Sequence, residues 1–106
     1  MMFIFLYEII MQTPLGEKHG IMQIEICQSK VSGYIEILKN KESFQGQIDE
    51  NGVCLLYGRI VTLVQKINFT AFGIANEKEV NLVLHGEGQN DTFHITGKTF
   101  SQEGEA

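Results

Sequence analysis

Apolar and polar residues alternate with period two along most of this chain, and no stretch sustains a helical rhythm. The alternating stretches are rich in β-branched and aromatic residues and are separated by turn-forming clusters. They predict eight strands, at about 3–12, 21–28, 31–39, 43–49, 53–60, 66–75, 79–87 and 92–100. Gly33, Gly46, Gly58, Gly73, Gly86 and Gly97 recur at nearly even intervals. Each sits inside an apolar stretch, as in Ser-Gly-Tyr-Ile at 32–35 and Tyr-Gly-Arg-Ile at 57–60. A glycine inside a strand marks a bend or a close approach of backbone. One in strand after strand predicts a small sheet that curls tightly on itself.

Turn positions decide which faces meet. Two-residue turns at Ser29-Lys30, Asn40-Lys41, Glu77-Lys78 and Gln89-Asn90 bring the apolar phases of successive strands together. These registers set Gly33 against Ile26 and Ile48, Gly46 against Ile35, Gly73 against Leu82, and Gly86 against Phe93. Gly58 alone falls on the outward phase. Asp49-Glu50-Asn51-Gly52 is the strongest hairpin signal, because Asn-Gly accepts positive φ. A two-residue turn there sets Ile48 against Leu55, and a four-residue loop sets it against Val53; the same faces meet either way. Pro14 to Gly20 reads as a loop that leaves Ile9 near Ile24. Segment 60–66 contains no Gly, Pro, Asn or Asp. A bend, a crossing at a sheet end and a single helical turn all stay open there.

The inner face so derived runs through Phe5, Tyr7, Ile9, Met11, Met22, Ile24, Ile26, Val31, Ile35, Ile37, Phe44 and Ile48. It continues through Val53, Leu55, Tyr57, Ile67, Phe69, Ala71, Leu82, Leu84, Phe93 and Ile95. An open sheet would leave this face wet, with no helix to cover it. Closure into a barrel, or folding into two packed sheets, covers it. The expected fold is all-β: an antiparallel up-and-down meander closing into a calycin-like barrel of about eight strands. A single domain spans 1–100, and a polar tail spans 101–106.

Composition narrows the function. The 106 residues suit one domain, and the net charge is -5 with Arg59 the only arginine. Nucleic acids and anionic membranes call for a basic surface, so neither is an expected partner. Cys27 and Cys54 lie on the outward phase and read as free thiols, which suits a reducing cytoplasm. Met1 to Met11 is apolar, but it is too short to span a bilayer and is interrupted by Glu8. It also lacks the basic region and cleavage site of a signal peptide, and it reads as the first strand.

Thr13-Pro14-Leu15-Gly16 follows this first strand, and strands with Gly-x-Ile follow in turn. Together they resemble small uncharacterised bacterial β-barrel proteins that carry a Thr-Pro-Leu/Met-Gly turn, with lipocalin-like architecture. The Gly-x-Trp motif of the large lipocalin family is absent, since the chain has no tryptophan. The resemblance implies a barrel fold and brings no catalytic residues.

Three constellations could carry function. His85 and His94 face each other if Gln89-Asn90 is the turn, and with Glu87 they could hold a divalent metal or serve a hydrolytic or metal-dependent enzyme. Arg59 falls on the inner phase, where with Tyr57 and Phe44 it could anchor the carboxylate of a small apolar ligand. Ile4, Leu6, Ile10, Leu56, Ile60, Phe72, Ile74 and Val83 make the outward phase unusually apolar, as at an interface. No nucleophile elbow or phosphate loop occurs. The expected function is a non-catalytic binding or assembly module that works as a homo-oligomer, with no cofactor.

Overall fold

Period-two alternation becomes eight antiparallel strands: β1 (Met2–Thr13), β2 (Gly16–Cys27), β3 (Lys30–Ile37), β4 (Asn40–Ile48), β5 (Val53–Val61), β6 (Lys66–Ala75), β7 (Glu79–Gly86) and β8 (Thr92–Thr99). The computed structural model describes residues 2–13, 16–37, 39–61, 66–87 and 92–100. Each strand pairs with the next, and β8 pairs with β1, so the meander closes into a barrel. Closure satisfies the backbone groups that an open sheet would leave at its two edges.

The barrel is strongly staggered. Its ladder pairs lead from Met2 through Cys27, Lys30, Gln47, Leu55, Phe72, Val83 and His94 to Gln12. One circuit thus moves from position 2 to position 12 of the same strand, a shift of ten residues. For eight strands this shear tilts the strands by roughly 40° to the barrel axis and leaves an interior that side chains can fill.

That interior is apolar. Tyr7, Ile9, Met22, Ile24, Leu56, Leu82, Leu84 and Ile95 are fully buried, and no polar or charged residue other than Tyr7 is buried among the described residues. The inward layers alternate large and small. One row reads Ile24, Gly33, Phe44, Gly58, Phe69, Gly86 across six successive strands. At Gly33, Gly46 and Gly73 a Cβ would overlap the carbonyl oxygens of Gln23, Leu55 and Asn81 on the neighbouring strand. At Gly58 it would stand 2.9 Å from both Phe44 Cβ and Phe69 Cζ. Strand backbone and phenyl rings therefore occupy the space that a side chain would need. This is what lets so narrow a sheet coil.

Several registers differ from the sequence expectation. The turn between β2 and β3 lies at Gln28-Ser29, so Gly33 faces Ile24 and Phe44. Ile37 pairs with Asn40, so Gly46 faces Val31 and Leu56. Between β6 and β7 the pairing of Gly73 with Leu82 is as expected. Thr13 pairs with Gly16, so the residues from Gly16 to Gly20, expected as loop, are strand. Thr13 Oγ1 donates to the Gly16 carbonyl at 2.8 Å, and Gly16 has φ +112°. Ile9 therefore faces Gly20, and Ile24 faces Phe5. At the ambiguous joint Val61 pairs with Lys66; residues 62–65 lie outside the described residues, as do Pro14 and the 101–106 tail.

One difference changes a whole strand. Ile48 pairs with Cys54 rather than with Leu55 or Val53. The loop is three residues long, Glu50 to Gly52, with Asp49 N–H donating to the Val53 carbonyl and Gly52 at φ +86°. Asp49 Oδ1 accepts from the N–H groups of Asn51 and Val53 at 2.8 and 3.0 Å, and these bonds hold the turn. An odd loop reverses the phase. Cys54, Leu56, Gly58 and Ile60 point inward, while Val53, Leu55, Tyr57 and Arg59 point outward.

Gly46→Ala should lower stability by about 3 kcal/mol, the high end of overpacking costs, because no side chain can yield to a Cβ aimed at backbone. Ser32→Ala, on an exposed outward position, should change it by less than about 0.5 kcal/mol. Urea unfolding of both variants measures the difference.

Candidate functional site

Reversal of β5 takes apart the expected ligand site. Phe44 lies in the core, whereas Tyr57 is 47% exposed on the outer wall. Arg59 also stands outside, with its Nε 3.5 Å from Glu42 Oε1 in an exposed ion pair. Such a pair contributes about 0–1 kcal/mol and anchors nothing inside the barrel. The inner phase of β5 instead carries Cys54, Leu56 and Ile60, so Leu56 and Ile60 are core residues and not interface residues.

The histidines also part. His85 faces Thr70 and Thr92, and His94 faces Val83 and Gln12. The two imidazoles are diagonal rather than opposite, because the register is two residues from the expected one. His94 Nε2 shares a 2.7 Å hydrogen bond with Asn81 Oδ1. Glu87 is exposed, and its N–H donates to the Asn68 carbonyl at 2.7 Å. No group of three His, Cys, Asp or Glu side chains able to hold a metal occurs among the described residues. The expected turn at Gln89-Asn90, and Asp91 beside it, lie outside those residues.

The loops at one end of the barrel join across it. Ala75 N–H donates to the Gly52 carbonyl at 2.9 Å. Asn76 Oδ1 accepts from the N–H groups of Lys78 and Glu79 at 2.8 and 3.0 Å. From the opposite wall, the buried Tyr7 hydroxyl donates to the Asn76 carbonyl at 2.6 Å. The sequence offers no sign of this bond, which spans 69 positions. Burial pushes the Tyr7 phenol above its ordinary range, and the neighbouring Cys54 adds to the shift. Burial, followed by the Asp49 carboxylate, pushes the Cys54 thiol up to about 11. Cys27 is exposed, so the two free thiols lie on opposite sides of the sheet and not both outward.

What the structure does assemble is an apolar outer wall. Leu55, Phe72 and Val83 are successive ladder partners on β5, β6 and β7. Val53 pairs with Ile74 in the next outward row, and Tyr57 stands beside Leu55 along its own strand. Phe72 is 59% exposed, and Ile74 and Val83 are also exposed. The phase reversal replaces Leu56 and Ile60 with Leu55 and Tyr57, and the patch becomes continuous. Val53, Leu55 and Tyr57 were missed as outer residues because both phases of β5 are apolar. A second apolar surface lies on β1, where Met2, Phe3, Ile4 and Leu6 are exposed. Ile10 is half-buried between His19 and Thr96 and belongs to neither patch.

Comparison of the chain with protein-family models, with curated proteins and with solved structures gives no match.

The Cys54 shift fixes a sign. A thiol whose folded pKa is raised favours the folded state while it is protonated, and this stability is lost as pH climbs from the ordinary thiol value towards about 11. Urea midpoints should therefore fall with pH across that alkaline window, and they should fall less in Cys54→Ala. In native protein a maleimide should label Cys27 at once and Cys54 only after unfolding, which mass spectrometry reads directly.

Proposed function

We propose that this chain is a non-catalytic assembly module that works as a homo-oligomer through the outer wall of β5, β6 and β7. One observation carries this reading. The nine central outward positions of that wall are Val53, Leu55, Tyr57, Thr70, Phe72, Ile74, Asn81, Val83 and His85, with no Asp, Glu, Lys or Arg among them. The chain as a whole is 20% charged. Charged residues of these strands stand at the ends of the wall, as Arg59, Lys66 and Glu79, with Glu87 just beyond β7. An apolar, aromatic centre with a polar rim is the anatomy of a protein interface. A monomer exposes large apolar patches of this kind chiefly where something binds.

The apolar filling of the barrel supports the same reading, since it places the accessible chemistry on the outside. A cytoplasmic setting belongs with it, supported by the two free thiols. So does kinship with the small bacterial, calycin-like barrels that share the Thr-Pro-Leu-Gly turn, supported by the hairpin that Thr13 and Gly16 close.

Light scattering tests the reading. The wild type should have a multiple of the chain mass, and Phe72→Asp should reduce it with an unchanged thermal melt. A wild type that stays at the mass of one chain at high concentration would sink the proposal.

A further inference from the structure

Two of the three histidines stand in or beside the apolar wall. His85 is one of its outward positions on β7, two residues along the strand from Val83. His94, on β8, is the ladder partner of Val83, so it extends the row of Leu55, Phe72 and Val83 by one strand. Both are exposed, and they are diagonal neighbours across the β7–β8 ladder. His19 lies elsewhere, on β2, where it faces Ile10 and its Nε2 is 3.8 Å from Glu17 Oε1.

The groups around this pair are nearly all uncharged. His85 meets Thr70 on β6 and Thr92 on β8, with Asn68 and Phe72 diagonal to it on β6. His94 meets Val83 on β7 and Gln12 on β1, with Asn81 diagonal to it on β7 and Ile10 on β1. Among the described residues, the acidic groups at this border are Glu87, two residues past His85, and Glu17, which lies beyond Gln12 and accepts from its Nε2 at 2.9 Å. No Lys or Arg is among the ladder or diagonal neighbours of either histidine in the described residues.

Asn81 Oδ1 can only accept, so His94 Nε2–H is the donor of their 2.7 Å bond, and Nδ1 is left to take a second proton. Protonation therefore keeps this bond and adds a charge on the outside of the barrel, where water solvates it. Contact with a second wall changes that balance. A charge enclosed between two apolar walls loses its water, and two like charges on adjacent strands repel. Interface centres are depleted of charged residues for this reason. Histidine is the side chain whose charge ordinarily changes between pH 5 and 8.

We propose that His85 and His94 make assembly through the β5–β7 wall pH-dependent: the walls of two copies join while both imidazoles are neutral and part when protons bind them. This rests on the assembly reading above and assigns its regulation. The expected sign is opposite to that of bulk charge. Acid adds positive charge at three histidines to a chain of net charge -5, which brings it nearer neutrality and by itself favours association. Dissociation on mild acidification is therefore specific to histidines that lie in the contact.

Light scattering of full-length protein at about pH 8 and about pH 5 tests this. The wild type should be assembled at the higher pH and fall to the mass of one chain at the lower, its association constant reduced by about a hundredfold or more. Its near-ultraviolet circular dichroism should be the same at both, since the barrel itself does not change. The double variant His85→Gln, His94→Gln should stay assembled throughout, while His19→Gln should part as the wild type does. Proton NMR of the wild type gives a second reading without any substitution. Proton binding and assembly are linked reciprocally, so the protonation midpoints of His85 and His94 should fall as protein concentration rises, and that of His19 should not move. A wild type equally assembled at the lower pH, a double variant that parts like the wild type, or midpoints indifferent to concentration overturns the switch and leaves the wall standing. A wild type with the mass of one chain already at the higher pH removes the wall, and the switch with it.

Discussion

The rest of this structure depends on bending a sheet of eight short strands until its first and last strands pair. Backbone hydrogen bonds want partners on both sides of each strand, and a narrow closed sheet supplies them only if it coils steeply. Coiling brings one strand's backbone over the next, and an inward Cβ at the crossing points would collide with it. Gly33, Gly46 and Gly73 stand at such points. The cost of glycine in a strand is offset by neighbours that fill the vacated space. Phe44 covers Gly33 on one side and Gly58 on the other, and Phe69 lies between Gly58 and Gly86. The glycine rhythm is therefore a device of closure.

Closure also directs where function can lie. Among the described residues the lumen is taken up by apolar side chains, and the one buried side chain among them with a hydroxyl, Tyr7, already has a partner in the Asn76 carbonyl. Asp49 and Asn76 are engaged in holding turns at the same end. The accessible chemistry of the described residues is thus on the outer wall and at the start of β1, where Met2, Phe3, Ile4 and Leu6 are exposed. Both are dominated by aromatic and aliphatic side chains where water would favour charge.

How far the sequence could be read depended on parity. Turns displaced by one or two residues, as at Gln28-Ser29 and before Asn40, slid the pairs by two or four and so kept the side chains on their expected faces. Gly33 therefore remained inward although its partners changed. The loop after Ile48 differed by an odd number, and that turned β5 over. Arg59 and Tyr57 moved from the interior to the surface, and Cys54, Leu56 and Ile60 moved in. Hydrophobic patterning could not have decided this strand. Val53, Leu55 and Tyr57 on one phase balance Cys54, Leu56 and Ile60 on the other, so the geometry of a three-residue turn broke the tie. The histidine pair failed for a milder reason: a two-residue shift kept both outside but set them diagonally.

The sequence by itself determined the all-β character, the order of the strands, the inward glycines of β3, β4 and β6, and an apolar outward phase in β6. These are local properties, carried by period-two alternation and turn chemistry within a few residues of each other. Only the tertiary structure decided the phase of β5 and the bond from Tyr7 to Asn76. Each of these depends on how far one strand slides against another around the whole ring. The stagger that closes the barrel sums contributions from every turn, and no single turn encodes it.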